Sequence, residues 1–157
     1  MKLTAILSLA SFSGALALPA DQSENPATLA ARALGINCRG SALCSDARSG
    51  SNAASRLQGY INNIQGNRVY HNGEHIACVA RGSLISPNGG FCAFLQYTNR
   101  DVNGAAIKNL IAAIVGHNCK VCGSVPIDFP GSNDPKNGIL TVNYVANTDN
   151  PCPDGLC

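Results

Sequence analysis

The chain has 157 residues, of which 13% are charged, and its formal net charge at pH 7 is +2. This excess is small and scattered along the sequence, so charge alone gives no reason to expect a nucleic-acid partner. The chain contains eight cysteines, an even number that predicts a disulfide framework in an exported protein and leaves many pairings open.

The N-terminal residues are typical of a secretory signal peptide. Lys2 is followed by an apolar run that extends to Leu18 and ends in small residues. No second run of about 20 apolar residues follows, so we expect a secreted, extracellular protein without stable membrane insertion. The expected division is a signal peptide at 1–20, a pro-segment or disordered tail at 21–33, and one domain at 34–157.

The first half of this domain combines a helix with a predicted hairpin. Ser45-Asp46 can start the helix, whose apolar residues recur at helical spacing until Gly66 stops it. Asn72-Gly73 is the strongest two-residue hairpin signal in the chain, and it predicts pairing of the strands at 69–70 and 76–79. A second turn at 87–90 leads into the apolar strand FCAFLQYT. A further strand is possible around Ile36.

The second half contains the clearest helix of the sequence. Its apolar residues at 107, 110, 111, 114 and 115 share one helical face, Asn99 or Asp101 is expected to cap its start, and it should end near Gly116. Residues 139–145 alternate as a strand, and the tail that follows has the composition of turns. This order of elements predicts an α+β domain in which two helices cover one face of an antiparallel sheet.

Cys119-x-x-Cys122 follows the second helix and has three candidate roles. A redox pair normally lies at a helix N-terminus, where the dipole lowers a thiol pKa, whereas this pair follows a C-terminus. A zinc site would need Cys38 and Cys44 as further ligands, at loose spacing and in an oxidising compartment. Structural disulfides are therefore favoured, and neither a metal nor another cofactor is expected. In the tail, the two cysteines can close a local loop or fasten the tail to the body.

A small secreted ribonuclease or other hydrolase is an alternative function that the residues support poorly. Glu74, His75, Arg81 and His117 are residue types that acid–base catalysis uses. Glu74 and His75 are adjacent on a predicted strand, however, so their side chains should point to opposite faces. His71 and His75 flank the predicted hairpin turn and can approach across it as a metal pair, although exposed histidines without such a role are commoner on hairpins. We expect no enzyme activity and no catalytic or metal-binding residue.

Three blocks of sequence resemble the fungal killer-toxin family typified by a virus-encoded toxin of corn smut. They are LGINCRGS (34–41), HNCKVCGS (117–124) and GILTVNYV (138–145), and they bracket almost the whole domain. The resemblance implies a disulfide-stapled α/β-sandwich with two antiparallel helices on one face of an antiparallel sheet. It also implies the pairs Cys38–Cys119 and Cys44–Cys122, after which Cys78 can bridge Cys92 and Cys152 can pair with Cys157.

The resemblance further implies an antifungal protein that inhibits the growth of competing cells by blocking calcium uptake through membrane channels. The implied partner is such a channel or another surface protein of the target cell, and we expect a monomer. Arg39 and Lys120 match basic positions of the family blocks. Arg81 is the cation nearest to the place before Cys78 where the family carries a lysine tied to activity and this sequence reads HIAC. These three cations are the candidate target-binding residues. A virulence effector or surface-binding protein without channel activity is the second hypothesis.

Overall fold

A five-stranded antiparallel sheet forms the centre of the fold among the described residues. The computed structural model describes residues 35–45, 52–81, 87–148, 152 and 154–157, so the predicted signal peptide and pro-segment lie outside the described residues. The strands are β1 (Val69–Tyr70), β2 (His75–Ala80), β3 (Gly90–Gln96), β4 (Val102–Asn103), β5 (Gly123–Pro126), β6 (Ile139–Val145) and β7 (Gly155–Leu156). The large sheet has the order β5-β6-β3-β2-β7, and β1 pairs with β4 in a separate two-stranded sheet.

Strand β6 shows how the residue alternation positions the sheet. Leu140 and Val142 are fully buried in the main core, and Tyr144 packs against the same cluster. The residues between them face the other side, as expected when successive side chains of a strand point to opposite faces. The predicted strand at 139–145 is confirmed in its bounds, and it pairs with β3 along its whole length.

Two helices pack against one face of this sheet. They are α1 (Ala53–Ile61) and α2 (Gly104–Gly116), and each buries one apolar stripe in the main core. Burying a leucine or isoleucine side chain stabilises the fold by roughly 1.5–3 kcal/mol, so these stripes hold the helices in place. The α+β class with both helices on one face is therefore confirmed. Neither helix, nor any other within the described ranges, is long and apolar enough to cross a bilayer.

The starts of both helices differ from the sequence-based predictions. Ser45 ends a short 3-10 helix, Ala42–Ser45, and α1 begins at Ala53; Asp46 lies outside the described residues. Helix α2 is capped by Asn103, whose side-chain oxygen accepts a hydrogen bond from the backbone N–H of Ala106 at 2.9 Å. Asn99 and Asp101 were the wrong choices because β4 comes between them and the helix.

The Asn72-Gly73 turn is present, but the hairpin predicted around it is wrong. The N–H of Glu74 donates to the carbonyl of His71 at 3.1 Å, and Gly73 has the positive φ (80°) that such turns favour. The two flanking strands then diverge, because β1 pairs with β4 while β2 pairs with β3 and β7. Burial of the Tyr70 ring, which is 0% exposed, accompanies the β1–β4 pairing.

The C-terminal tail, predicted as turns alone, adds a strand to the sheet. In β7, Gly155 and Leu156 pair with Cys78 and Ala77 of β2. The carboxylate of Asp154 accepts a hydrogen bond from the backbone N–H of Ala80 at 3.4 Å and also contacts side chains of α1. The amino-acid composition of the tail did not predict this strand, because its conformation depends on pairing with β2 and not on a high apolar content.

Candidate functional site

All eight cysteines are paired in disulfides. The bonds Cys38–Cys119 and Cys44–Cys122 are the two pairs that the family resemblance implied. The other two bonds, Cys78–Cys92 and Cys152–Cys157, join the cysteines that those pairs leave over. Cys119 and Cys122 are therefore bonded to partners about eighty residues away and not to each other. The Cys-x-x-Cys sequence thus fastens the segment after α2 to the N-terminal segment in two places.

The end of α2 positions this Cys-x-x-Cys sequence through a Schellman motif. The N–H of Cys119 donates to the carbonyl of Ile114 at 3.3 Å, and the N–H of Asn118 donates to that of Val115 at 2.9 Å. Asn118 has a left-handed φ of 68°, which asparagine tolerates better than most residues. The resulting reversal buries Cys119 and leaves Lys120 exposed. The asparagine just after the last helical turn is the sequence feature that could have indicated this reversal.

The N-terminal segment is held to the sheet by several hydrogen bonds. The backbones of Asn37 and Ser124 bond to each other in both directions, at 2.8 and 3.0 Å. The Asn37 side chain donates to the Ser124 hydroxyl at 2.9 Å and accepts from the backbone N–H of Arg39 at 3.0 Å. The N–H of Ser41 donates to the side-chain oxygen of Asn143 on β6 at 3.0 Å. In place of the strand considered possible around Ile36, the structure has one isolated bridge, between Asn37 and Ser124. Asn143 is a supporting residue that the sequence reasoning missed.

An open groove of about 590 Å³ lies between these two cross-linked segments. Arg39 and Lys120, two of the three candidate target-binding residues, both line it, and both are exposed. Neither forms an ion pair with a residue that the structure describes. Its lining among the described residues contains no acidic side chain and consists of Cys38, Arg39, Gly40, Ser41, Ala42, Cys44, Asn118, Lys120, Val121 and Cys122. Such a rim suits an anionic group, because carboxylates and phosphates bind well to unpaired cations.

Arg81, the third candidate, is not among the residues of this groove. It is exposed just after β2, where its backbone N–H donates to the carbonyl of Gly89 at 2.8 Å. Before Cys78, Ile76 is fully buried, and His75 is half-buried beside the ring of Phe94, with 5.6 Å between the ring centroids. Burial lowers the pKa of His75, so its imidazole is mainly neutral at pH 7. The chain therefore presents no cation directly before Cys78.

Within the described residues, no hydrogen bond or ion pair joins the side chains of Glu74, His75, Arg81 and His117 to one another. The Glu74 carboxylate binds Arg68 at 3.2 Å and accepts from the backbone N–H of His71 at 2.9 Å. The ring of His71 lies 2.7 Å from the Asp101 carboxylate, a hydrogen bond that raises the pKa of the exposed imidazole. His117 is the exposed residue after α2. Nothing in these contacts assembles an acid and a base around one substrate position.

The two histidines of the predicted metal pair contact different residues. His71 contacts Asp101, whereas His75 lies against Phe94 on another strand. Within the described ranges, clusters of three ligand-type side chains are built from disulfide-bonded cysteines, joined in one case by His75. A cysteine in a disulfide offers no thiolate to a metal.

Comparison with known proteins identifies the family. The family model described as Kp4 matches residues 25–146, a range that includes both groove-forming segments. The KP4 killer toxin of Ustilago maydis P4 virus is 37% identical to this chain over 112 residues, which make up 71% of the chain and 80% of that toxin. The chain therefore belongs to the Kp4 family of killer toxins.

Proposed function

We propose that the protein is a secreted antifungal toxin that inhibits the growth of competing cells by blocking calcium uptake through their membrane channels. The observation that carries this proposal is the 37% identity to the KP4 killer toxin over 112 residues. The four disulfides support an extracellular location, because such bonds form and persist in oxidising compartments.

The groove is the surface that we assign to the target. Arg39 and Lys120 have no described ion pair to give up, so binding an acidic group there breaks no existing salt bridge. Two disulfides and the bonds of Asn37 fix the backbone around both cations, which reduces the entropy lost on binding. The partner is an acidic surface of a membrane calcium channel or of another surface protein. Arg81 remains a separate candidate contact.

A growth assay tests the proposed activity directly. Purified, oxidised protein should arrest a susceptible fungus, reduce uptake of radioactive calcium by its cells, and lose its effect when external calcium is raised. Growth arrest with normal calcium uptake would refute the channel mechanism while leaving toxicity in place. Normal growth across a broad panel of fungi would refute toxicity itself.

A pair of double variants tests the groove. Arg39→Ala with Lys120→Ala should raise the half-inhibitory concentration at least about tenfold, which corresponds to about 1.4 kcal/mol of binding energy. Lys108→Ala with Lys136→Ala changes the net charge equally at positions outside the groove lining and should stay within about twofold of wild type. Equal losses in the two double variants would indicate that net charge matters and that the groove does not. Arg81→Ala, measured alone, tests the third cation.

A virulence effector or surface-binding protein without channel activity is the second candidate function. It is favoured by the residues before Cys78, where Ile76 is buried and His75 is mainly neutral, in place of the lysine that the family resemblance implies. In that case the protein should bind cells and leave both growth and calcium uptake unchanged. The same assays therefore separate the two candidates.

A further inference from the structure

Tyr97 is far more exposed than a large apolar side chain normally is. It is 76% exposed, and the other large exposed hydrophobic residues within the described ranges, Leu43, Val69 and Leu156, reach at most 50%. These three lie on separate elements: the short 3-10 helix, β1 and β7. Tyr97 directly follows the last residue of β3, and the exposed polar residues Asn99 and Arg100 follow in the same loop.

The backbone of Tyr97 is also in an unfavourable conformation. Its φ is 58°, in the left-handed region that glycine and asparagine adopt easily and a bulky aromatic residue rarely adopts. The neighbouring residue fixes this conformation: the N–H of Thr98 donates to the Asn72 side chain at 3.1 Å, and the Thr98 hydroxyl bonds to the backbone of Arg100 at 3.0 and 3.2 Å. Gly138 packs so closely on Thr98 that an added Cβ would overlap it. The turn therefore holds the Tyr97 ring outward.

Neither the core nor the turn explains a tyrosine at this position. The ring contributes little buried area, and the turn would form with less strain around glycine or asparagine. Strained residues that persist in a rigid setting occur mainly at functional sites. Tyrosine is enriched among the residues that dominate protein interfaces, and it loses little conformational entropy on binding.

The surroundings of the ring favour a protein as the partner. All the other phenylalanine and tyrosine residues within the described ranges are buried or half-buried, so no row of exposed rings accompanies Tyr97. The exposed residues that follow it, Asn99 and Arg100, are polar, whereas helices that bind membrane surfaces present a broad apolar face. A single apolar anchor with a polar rim is the pattern of a protein interface. We propose that Tyr97 is a docking residue that inserts its ring into an apolar pocket of a protein on the surface of the target cell.

Two substitutions separate docking from a structural role. This inference rests on the proposed function in taking a fungal cell as the target. Tyr97→Gly and Tyr97→Asn should relieve the backbone strain and raise the melting temperature by roughly 2–5 °C. The same variants should bind protoplasts of a susceptible fungus at least about tenfold more weakly, measured with isotopically labelled protein. Tyr97→Phe keeps the ring and Val69→Ala removes another exposed apolar side chain, so both should bind within about threefold of wild type.

Each outcome decides the proposal. Lower melting temperatures together with lost binding would make Tyr97 a structural residue, and unchanged binding by Tyr97→Gly would exclude it as a docking residue even if growth inhibition persists. Wild-type binding that survives protease treatment of the protoplasts would exclude a protein partner. Binding that depends on Tyr97 without growth inhibition would refute the proposed toxicity and retain the docking role. A wild-type protein that binds no protoplasts would overturn both proposals.

Discussion

The bridges Cys38–Cys119 and Cys44–Cys122 should stabilise the fold redundantly, because they join the same two segments. Their sequence separations are 81 and 78 residues. Either bridge alone closes a long loop in the unfolded chain, for which the chain-entropy relation gives about 4.5 kcal/mol of stabilisation at 25 °C. Once one bridge is present, the other closes only the short loop of residues 38–44 and 119–122. The same relation then gives about 2.8 kcal/mol.

A double-mutant cycle measures this redundancy. Removal of either bridge by alanine at both of its cysteines should lower the free energy of unfolding by about 2.8 kcal/mol, and removal of both bridges by about 7.3 kcal/mol. The coupling energy between the bridges is then about 1.7 kcal/mol. Loss of the buried sulfur atoms contributes equally to the two sides of the cycle and cancels in the coupling energy. Urea denaturation of the four proteins gives the values.

The bond Cys152–Cys157 provides the control. Its sequence separation is 5, so its removal should cost about 2 kcal/mol and should add to the loss of either long bridge without coupling. If the protein without both long bridges is too unstable to measure, sucrose can bring all variants into range. Additive losses for the two long bridges, with no coupling energy, would refute the reasoning.

Three further predictions concern single side chains. Asp101 raises the pKa of His71, so their contact stabilises the protein below the unfolded pKa of histidine and is lost as the pH rises through the folded pKa. The loss of stability in His71→Asn should thus be larger at about pH 5 than at about pH 8, and equal losses would contradict this. Gly59→Ala, in open space on α1, should stabilise by about 0.5–1 kcal/mol. Gly104→Ala should destabilise by about 1–3 kcal/mol, because its Cβ would overlap the backbone carbonyl of Gln65 in the loop after α1. Calorimetry that gave the two glycine variants effects of the same sign would contradict this difference in packing. Asn103→Ala should lower the urea midpoint by an amount equivalent to about 1 kcal/mol, and an unchanged midpoint would mean that the cap contributes nothing.

The elements that could be predicted from the sequence are those whose buried residues form one uninterrupted apolar pattern along the chain. Helix α2 and strand β6 each carry a regular apolar stripe, and both lie where the periodicity places them. The start of α2 was missed because Thr98 organises its own turn and β4 then pairs with β1 before the helix begins. The hairpin at Asn72-Gly73 was wrong for a related reason. A turn sequence specifies a local reversal, whereas the pairing of its flanks depends on distant strands.

At the candidate site, too, single residues could be predicted from the sequence, whereas their arrangement depends on contacts between distant segments. The family blocks drew attention to Arg39 and Lys120 as separate basic positions. Both residues line one groove because two bridges join segments about eighty residues apart, and periodicity does not reveal such bridges. The sequence placed Tyr97 within a predicted strand, but the strand ends at Gln96 and the next residue reverses its φ. That reversal comes from Thr98 and its partners, which no local pattern predicts.

The short outer strands of the large sheet limit how easily copies of the chain can pair edge to edge. β5 has four residues and β7 has two, whereas the seven-residue strands β3 and β6 are interior. The bridge to Asn37 occupies part of β5, and β7 lies along part of β2. A long strand edge with free amide groups is the template on which molecules assemble into intermolecular sheets. Even in concentrated solution, the edges of this sheet, as far as the structure describes the chain, leave little such template on which cross-β aggregates can grow.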